Sequence, residues 1–326
     1  MRKIVISSPG GPDVLVEAEA PDPVPSDGEV AIAVAAAGVN RADVNQRQGH
    51  YPPPPGAPDW PGMEVSGTIS SVGHGVTGWS VGDRVCTIVP GGGYATRVLA
   101  RAAQLLPVPP GLDLVDAAGL PEAIATVWSN VFLLGGLRAG GTLLVHGGSS
   151  GIGTMAVRLG RALGCTVAVT AGSPAKLAAC EALGAEILID YRESDFVERI
   201  LAATDGRGVD VILDPIGGDY VARDIAALAR HGHICLIGNQ SGAVSGFDVG
   251  ALMRTWGSIH ATTLRARPDA EKDEIIRSVL ENVWPLVESG QIMPVIDSRF
   301  ELADARLAHE RMESSAHIGK LLLVPR

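Results

Sequence analysis

Apolar and polar positions change their rhythm once along the chain. Over about residues 1–110, short runs such as Glu29-Val-Ala-Ile-Ala-Val34, Val65-Ser-Gly-Thr-Ile69 and Asp83-Arg-Val-Cys-Thr-Ile-Val89 are separated by glycine turns, which predicts a small all-β unit. From about 112 onward, helical stretches alternate with near-continuous apolar runs. These are Thr142-Leu-Leu-Val-His146, Thr166-Val-Ala-Val-Thr170, Glu186-Ile-Leu-Ile-Asp190, Val209-Asp-Val-Ile-Leu213 and His233-Ile-Cys-Leu-Ile-Gly238. Such runs, spaced by helices, predict an α/β fold with a parallel sheet covered on both faces. A helix is expected over 270–289, and a last strand over Lys320-Leu-Leu-Leu-Val324 that can return to the first unit.

With 326 residues the chain is long enough for two cores. A net charge of −10 without clustered Lys or Arg argues against nucleic acid or an anionic membrane and for a small-molecule partner. The first ten residues hold only a short apolar run. No later stretch is read as approaching the ~20 apolar residues of a membrane span, so the expectation is a soluble, cytoplasmic protein. Cys86, Cys165, Cys180 and Cys235 lack C-x-x-C spacing and are expected as buried free thiols.

The stretch Val145-His-Gly-Gly-Ser-Ser-Gly-Ile-Gly153 joins an apolar strand to an amphipathic helix. In that helix Ile152, Met155, Ala156, Leu159 and Leu163 recur at offsets of three, four, seven and eleven, so one face packs on the sheet. Gly148, Gly151 and Gly153 depart from the dinucleotide fingerprint, reading G-x-x-G-x-G, but keep its chemistry. Small residues admit a pyrophosphate to the backbone, and the helix start offers N–H donors with a favourable dipole. A plain strand-to-helix turn remains the alternative reading of the turn alone.

The next strand ends in Val169-Thr-Ala-Gly-Ser-Pro-Ala-Lys176, with no carboxylate to accept a ribose 2′-hydroxyl. Ser173 can donate to a 2′-phosphate and Lys176 can neutralise it, the pattern for NADPH. Tyr191 closes over the same phosphate or is a plain surface tyrosine.

The segments Gly62-Met-Glu-Val-Ser-Gly67, Gly78-Trp-Ser-Val-Gly-Asp-Arg-Val85, Gly91-Gly-Gly-Tyr-Ala95, Leu120-Pro-Glu-Ala123 and His146 to Gly153 together resemble the medium-chain dehydrogenase/reductases over essentially the whole chain. Within them, Asn40 to Gly56 with Leu120-Pro-Glu-Ala123 resembles the NADPH-dependent quinone oxidoreductases, nearest the tumour-suppressor-inducible branch and more distantly the zeta-crystallin-like enzymes. The resemblance implies a GroES-like catalytic domain over 1–119 and 265–326, interrupted by a Rossmann NADPH-binding domain over 120–264. It further implies an active site in the cleft between the two and a homodimer joined through the Rossmann sheets.

The alcohol dehydrogenases of that superfamily carry Gly-His-Glu where this chain reads Gly62-Met63-Glu64. Thioether sulfur is a poor zinc ligand, the four-cysteine structural loop is missing, and no metal is expected. His231 and His233 are a close pair expected in a turn ahead of a strand. Hydride transfer to a quinone fits a site with little acid–base equipment, because the cofactor supplies the hydride while the protein orients and dries it. The resemblance implies that Asn40, Asp43 and Tyr51 line the cleft near the nicotinamide and that Ser150 faces it. Tyr51 and Ser150 are read as polar contacts to a quinone oxygen.

Alternatives stay open: Asp43 as a loop holder, Tyr51 as packing, Ser150 as a pyrophosphate ligand only. Further cofactor contacts are expected at the carboxyl ends of strands, at Thr126, Ser149, Ile152, Ile216, Gly217, Gly238, Asn239, Gln240, Thr262, Thr263 and Leu264. The rival readings are an NADPH-dependent reductase of activated C=C bonds and a low-turnover NADPH-binding sensor.

Overall fold

The structure is a computed structural model that describes residues 1–242 and 246–325. The chain forms two compact units, one of residues 1–125 with 265–326 and one of residues 126–264. The first crossing between these units falls inside the helix Pro121–Val127.

In the first unit β1 (Arg2–Ile6) pairs antiparallel with β2 (Leu15–Glu19). The larger sheet is built on β3 (Glu29–Val39), against which β4 (Glu64–Val72) and β6 (Arg97–Arg101) run antiparallel. β5 (Arg84–Ile88) and β7 (Leu105–Pro107) extend it from β4. Ile32, Val65, Ile69, Val85 and Val98 alternate inward and share one core with Leu321 and Leu323. That is what the period-two pattern demands of a sheet with one covered face.

The second unit holds β8 (Thr142–His146), β9 (Thr166–Ala171), β10 (Ile187–Asp190), β11 (Val209–Asp214), β12 (Leu228–Leu236) and β13 (Ser258–Ala261). All pair in parallel in the order β10-β9-β8-β11-β12-β13, so the order reverses between β8 and β11, where open α/β sheets bind ligands. Leu144, Ala168, Ile189 and Ile212 are fully buried, as near-continuous apolar strands require. β14 (Ile296–Glu301) and β15 (Lys320–Val324) then return to the first unit, β15 lying antiparallel to β3.

Four expectations change. The helix expected over 270–289 is two, Asp269–Asn282 and Trp284–Glu288, because Pro285 at the start of the second has no N–H to continue the ladder. His231 and His233 lie inside β12, not ahead of it: the strand starts at Leu228, and a register shift against β11 absorbs the left-handed His231 (φ 64°). That strand also ends at Leu236, two residues before the expected Gly238. One helical run, Asp116–Leu134, is long and apolar enough to cross a membrane by length and composition, contrary to the sequence reading, but 78% of it is buried inside the protein, as a core helix is. All four cysteines are free and buried, and burial pushes the Cys235 thiol up to about 12.

Candidate functional site

The parallel sheet delivers His146 to its carboxyl edge and then turns. Gly147 adopts the left-handed conformation (φ 67°) that only glycine takes without strain. Ser150 caps the helix Gly151–Ala162, its Oγ accepting from Gly153 N at 3.0 Å. The turn is pinned to β9, since Thr170 accepts from Gly148 N through its carbonyl (3.0 Å) and from Gly147 N through its hydroxyl (3.3 Å). A Cβ at Gly148 would lie 2.6 Å from Val169 Cβ, and one at Gly153 would run into Gly147 O and the Gly148 backbone. Turn and helix start are therefore as close as main chain allows, which leaves the N-terminal N–H groups of the helix approachable by a phosphate. Gly147 was not among the residues singled out, although its place directly after an apolar strand marked it.

At the end of β9, Ser173 caps the helix Pro174–Ala182, accepting from Lys176 N at 3.4 Å and keeping its own O–H as a donor. Tyr191, just past β10 and 46% exposed, lays its hydroxyl where a Cβ at Gly172 would stand. Tyr191, Ser173 and Lys176 thus surround the loop in which the sequence offers no carboxylate. This donor set fits a phosphate-bearing ribose.

The loops after β11 and β12 are tied together: Gln240 N donates to Pro215 O (3.2 Å) and Ser241 N to Ile216 O (3.0 Å). Asp214 shapes the first of them, its carboxylate accepting from Ile216 N (2.6 Å) and Gly217 N (3.0 Å), and burial pushes it up to about 6. Gly238, Asn239 and Gln240 are exposed on this rim, as is Thr263, whereas Leu264 is buried. The Thr262 hydroxyl is committed to Asn130 Oδ1 at 2.6 Å, and Asn130 Nδ2 donates to Thr126 O at 2.9 Å. Asn130 thus organises two expected contact residues and was missed, because a polar residue inside an apolar helix has no local signature.

In the first unit, Asn40 stands just ahead of the helix Arg41–Arg47. Its Nδ2 donates to Glu64 Oε1 (3.0 Å) while its Oδ1 accepts from Lys320 Nζ (2.7 Å), and Lys320 also pairs with Glu64. Glu64 Oε2 accepts from Glu122 N at 2.9 Å. All three side chains are buried, so every strong acceptor of this cluster faces a donor.

Asp43, expected beside the nicotinamide or as a loop holder, is 0% exposed. Its carboxylate accepts from Asn40 N (2.8 Å) and Gly62 N (2.9 Å), so it holds the loop; burial pushes it up to about 6 against those two N–H groups. Tyr51 is half-buried, with the Arg265 guanidinium 5.5 Å from its ring centre. Lys320, Glu64 and Arg265 were not singled out as site residues. The one available signal was a charged residue heading an apolar strand.

At Gly62-Met63-Glu64 the donor set does not fit zinc: Met63 is buried and Glu64 is taken up by Lys320, Asn40 and a backbone N–H. Among the described residues no group of three or more His, Cys, Asp or Glu is placed to hold a metal ion.

Residues 26–110 match the alcohol dehydrogenase GroES-like domain, and residues 183–323 match the zinc-binding dehydrogenase family. A quinone oxidoreductase of Pseudomonas aeruginosa is 31% identical over 99% of both chains. The structure of Escherichia coli quinone oxidoreductase complexed with NADPH superposes with a TM-score of 0.87 at 31% identity, covering 100% of both chains. CurK enoyl reductase, at 25% identity and 100% and 99% coverage, gives 0.88. Identity of this extent over the full length, on a GroES-like unit and a parallel Rossmann sheet, shows that the chain belongs to the zeta-crystallin-like quinone oxidoreductases of the medium-chain dehydrogenase/reductase superfamily.

Proposed function

We propose that the protein is an NADPH-dependent quinone reductase. The observation that carries this is the carboxyl edge of the second sheet, where a glycine turn and helix start fit a pyrophosphate and the segment after β9, which has Ser173 and Lys176 but no carboxylate, meets the Tyr191 hydroxyl at Gly172. When bound, NADPH supplies a hydride from C4 of its nicotinamide.

The chain's own residues bind, orient and position. Backbone N–H groups of the helix Gly151–Ala162 take the pyrophosphate, Ser150 shapes that helix start, and Lys176 neutralises the 2′-phosphate with Ser173 donating to it. Ile152, Ile216, Gly217, Asn239 and Gln240 complete the cofactor rim. Tyr51 contacts the quinone oxygen, while Asn40 and Asp43 act as positioning residues under the loop that carries it. The proton for the reduced oxygen comes from solvent or a hydroxyl. A homodimer in the cytoplasm is part of this reading, supported by the family resemblance alone.

The likeness to CurK enoyl reductase favours reduction of an activated C=C bond as the second reading. One experiment separates them: oxidation of NADPH followed by its near-ultraviolet absorbance with naphthoquinone, phenanthrenequinone and an alkenal offered separately, and NADH as control. Quinone turnover with NADPH preference is expected. Alkenal turnover alone would transfer the assignment to C=C reduction, and cofactor binding without turnover would make the protein a sensor.

A further inference from the structure

Arg265 is 5% exposed, yet both terminal guanidinium nitrogens, Nη1 and Nη2, have no hydrogen-bond partner; only Nε is satisfied, donating to Pro90 O at 2.6 Å. A cation taken out of water without an acceptor is among the least favourable arrangements a fold can keep. Nearby acceptors do not relieve it. Asp43 is committed to Asn40 N and Gly62 N, and its carboxylate, like that of Glu122, acts on the guanidinium only through space. Burial accordingly weakens the guanidinium's hold on its proton more than these charges strengthen it.

Two neighbours define the surroundings of these unpaired nitrogens. The guanidinium lies over the Tyr51 ring, 5.5 Å from its centre, so an aromatic face borders the two unpaired nitrogens without accepting a hydrogen bond from them. A Cβ at Gly91 would come within 3.1 Å of Nη2 and 2.9 Å of Pro58 O, so glycine there keeps the guanidinium uncrowded.

We propose that Arg265 binds the oxygen of the quinone and holds the negative charge that develops on it, an inference that rests on the quinone reductase reading. The hydride and its two electrons leave nicotinamide C4 and form a C–H bond at the acceptor carbon of the quinone. The electron pair of the conjugated carbonyl moves onto oxygen as an oxyanion. Arg265, which keeps its own protons, donates two N–H bonds to that oxyanion. Water then protonates the oxygen, and a proton shift yields the hydroquinone beside NADP⁺. The fork geometry suits this task, because two parallel donors gain most when the oxygen carries full charge, late in the step.

The test uses the full-length protein with NADP⁺ bound, titrated with 4-nitrophenolate as a ring-borne oxyanion and with nitrobenzene as its uncharged counterpart. The wild type is expected to prefer the phenolate by about tenfold or more, and Arg265→Gln to lose that preference while binding nitrobenzene unchanged. In turnover, Arg265→Gln should lose about 100-fold in kcat/KM for naphthoquinone with the Kd for NADPH unaltered. Arg265→Lys keeps a charge and guards against a folding failure: it should retain part of the phenolate preference. Equal phenolate binding in wild type and Arg265→Gln, or a loss of NADPH affinity matching the loss of turnover, would overturn the proposal. Phenolate preference in a wild type that reduces no quinone would sink the quinone reading and leave the oxyanion site standing.

Discussion

Lys320 and Asn40 stand 280 residues apart in the chain, and the ammonium of the first donates to Oδ1 of the second across 2.7 Å. With Glu64 they form a buried cluster in which removal of one member strands the others. Replacing Lys320 by Met should therefore destabilise the protein by about 3–5 kcal/mol in urea unfolding. The double variant E64Q/K320M should lose less than the sum of the single changes; additive losses would mean that the pair is not coupled.

Gly153→Ala places a Cβ against the main chain of Gly147 and Gly148, which cannot swing away as a side chain would. A stability loss of about 1–3 kcal/mol is expected, with NADPH affinity falling because the helix start moves off the turn. Gly111, which has nothing within 4 Å of its added Cβ, is the control. Gly111→Ala should stay within about 0.5 kcal/mol of wild type.

Lys176→Ala removes a charge that faces only the 2′-phosphate in the proposed complex. The KM for NADPH should rise by about tenfold or more while any use of NADH barely changes. Steady-state kinetics with both cofactors decide it, and equal effects on the two would end the phosphate assignment.

Asp43 titrates at about 6 in the fold against an ordinary value of 3.8, with burial as the cause. The folded state therefore holds this proton more tightly than the unfolded chain, so the contribution is fully present below pH 3.8 and is lost as pH rises through 6. Measured from pH 4 to 7, the stability of wild type relative to Asp43→Asn should decline with rising pH by up to about 3 kcal/mol. A difference that is constant with pH would show that the Asp43 carboxyl is not shifted by burial.

The features legible along the chain are local ones. The period-two runs of the first unit, the apolar strands of the second, and the turn after His146 are written in adjacent residues, because side-chain alternation, helical periodicity and the conformational freedom of glycine act over a few positions. The missing carboxylate after β9 is legible for the same reason. The remaining features arise from contacts between distant segments. Folding tied the Asp43 carboxylate to Gly62 N, gave the Thr262 hydroxyl to Asn130, assembled Asn40, Glu64 and Lys320, and closed over Arg265 while leaving two of its nitrogens without acceptors. Each of these depends on which distant strands meet and on how far water is excluded where they do. Burial and long-range pairing have no period along the chain, so only the assembled fold reveals which polar groups have found partners.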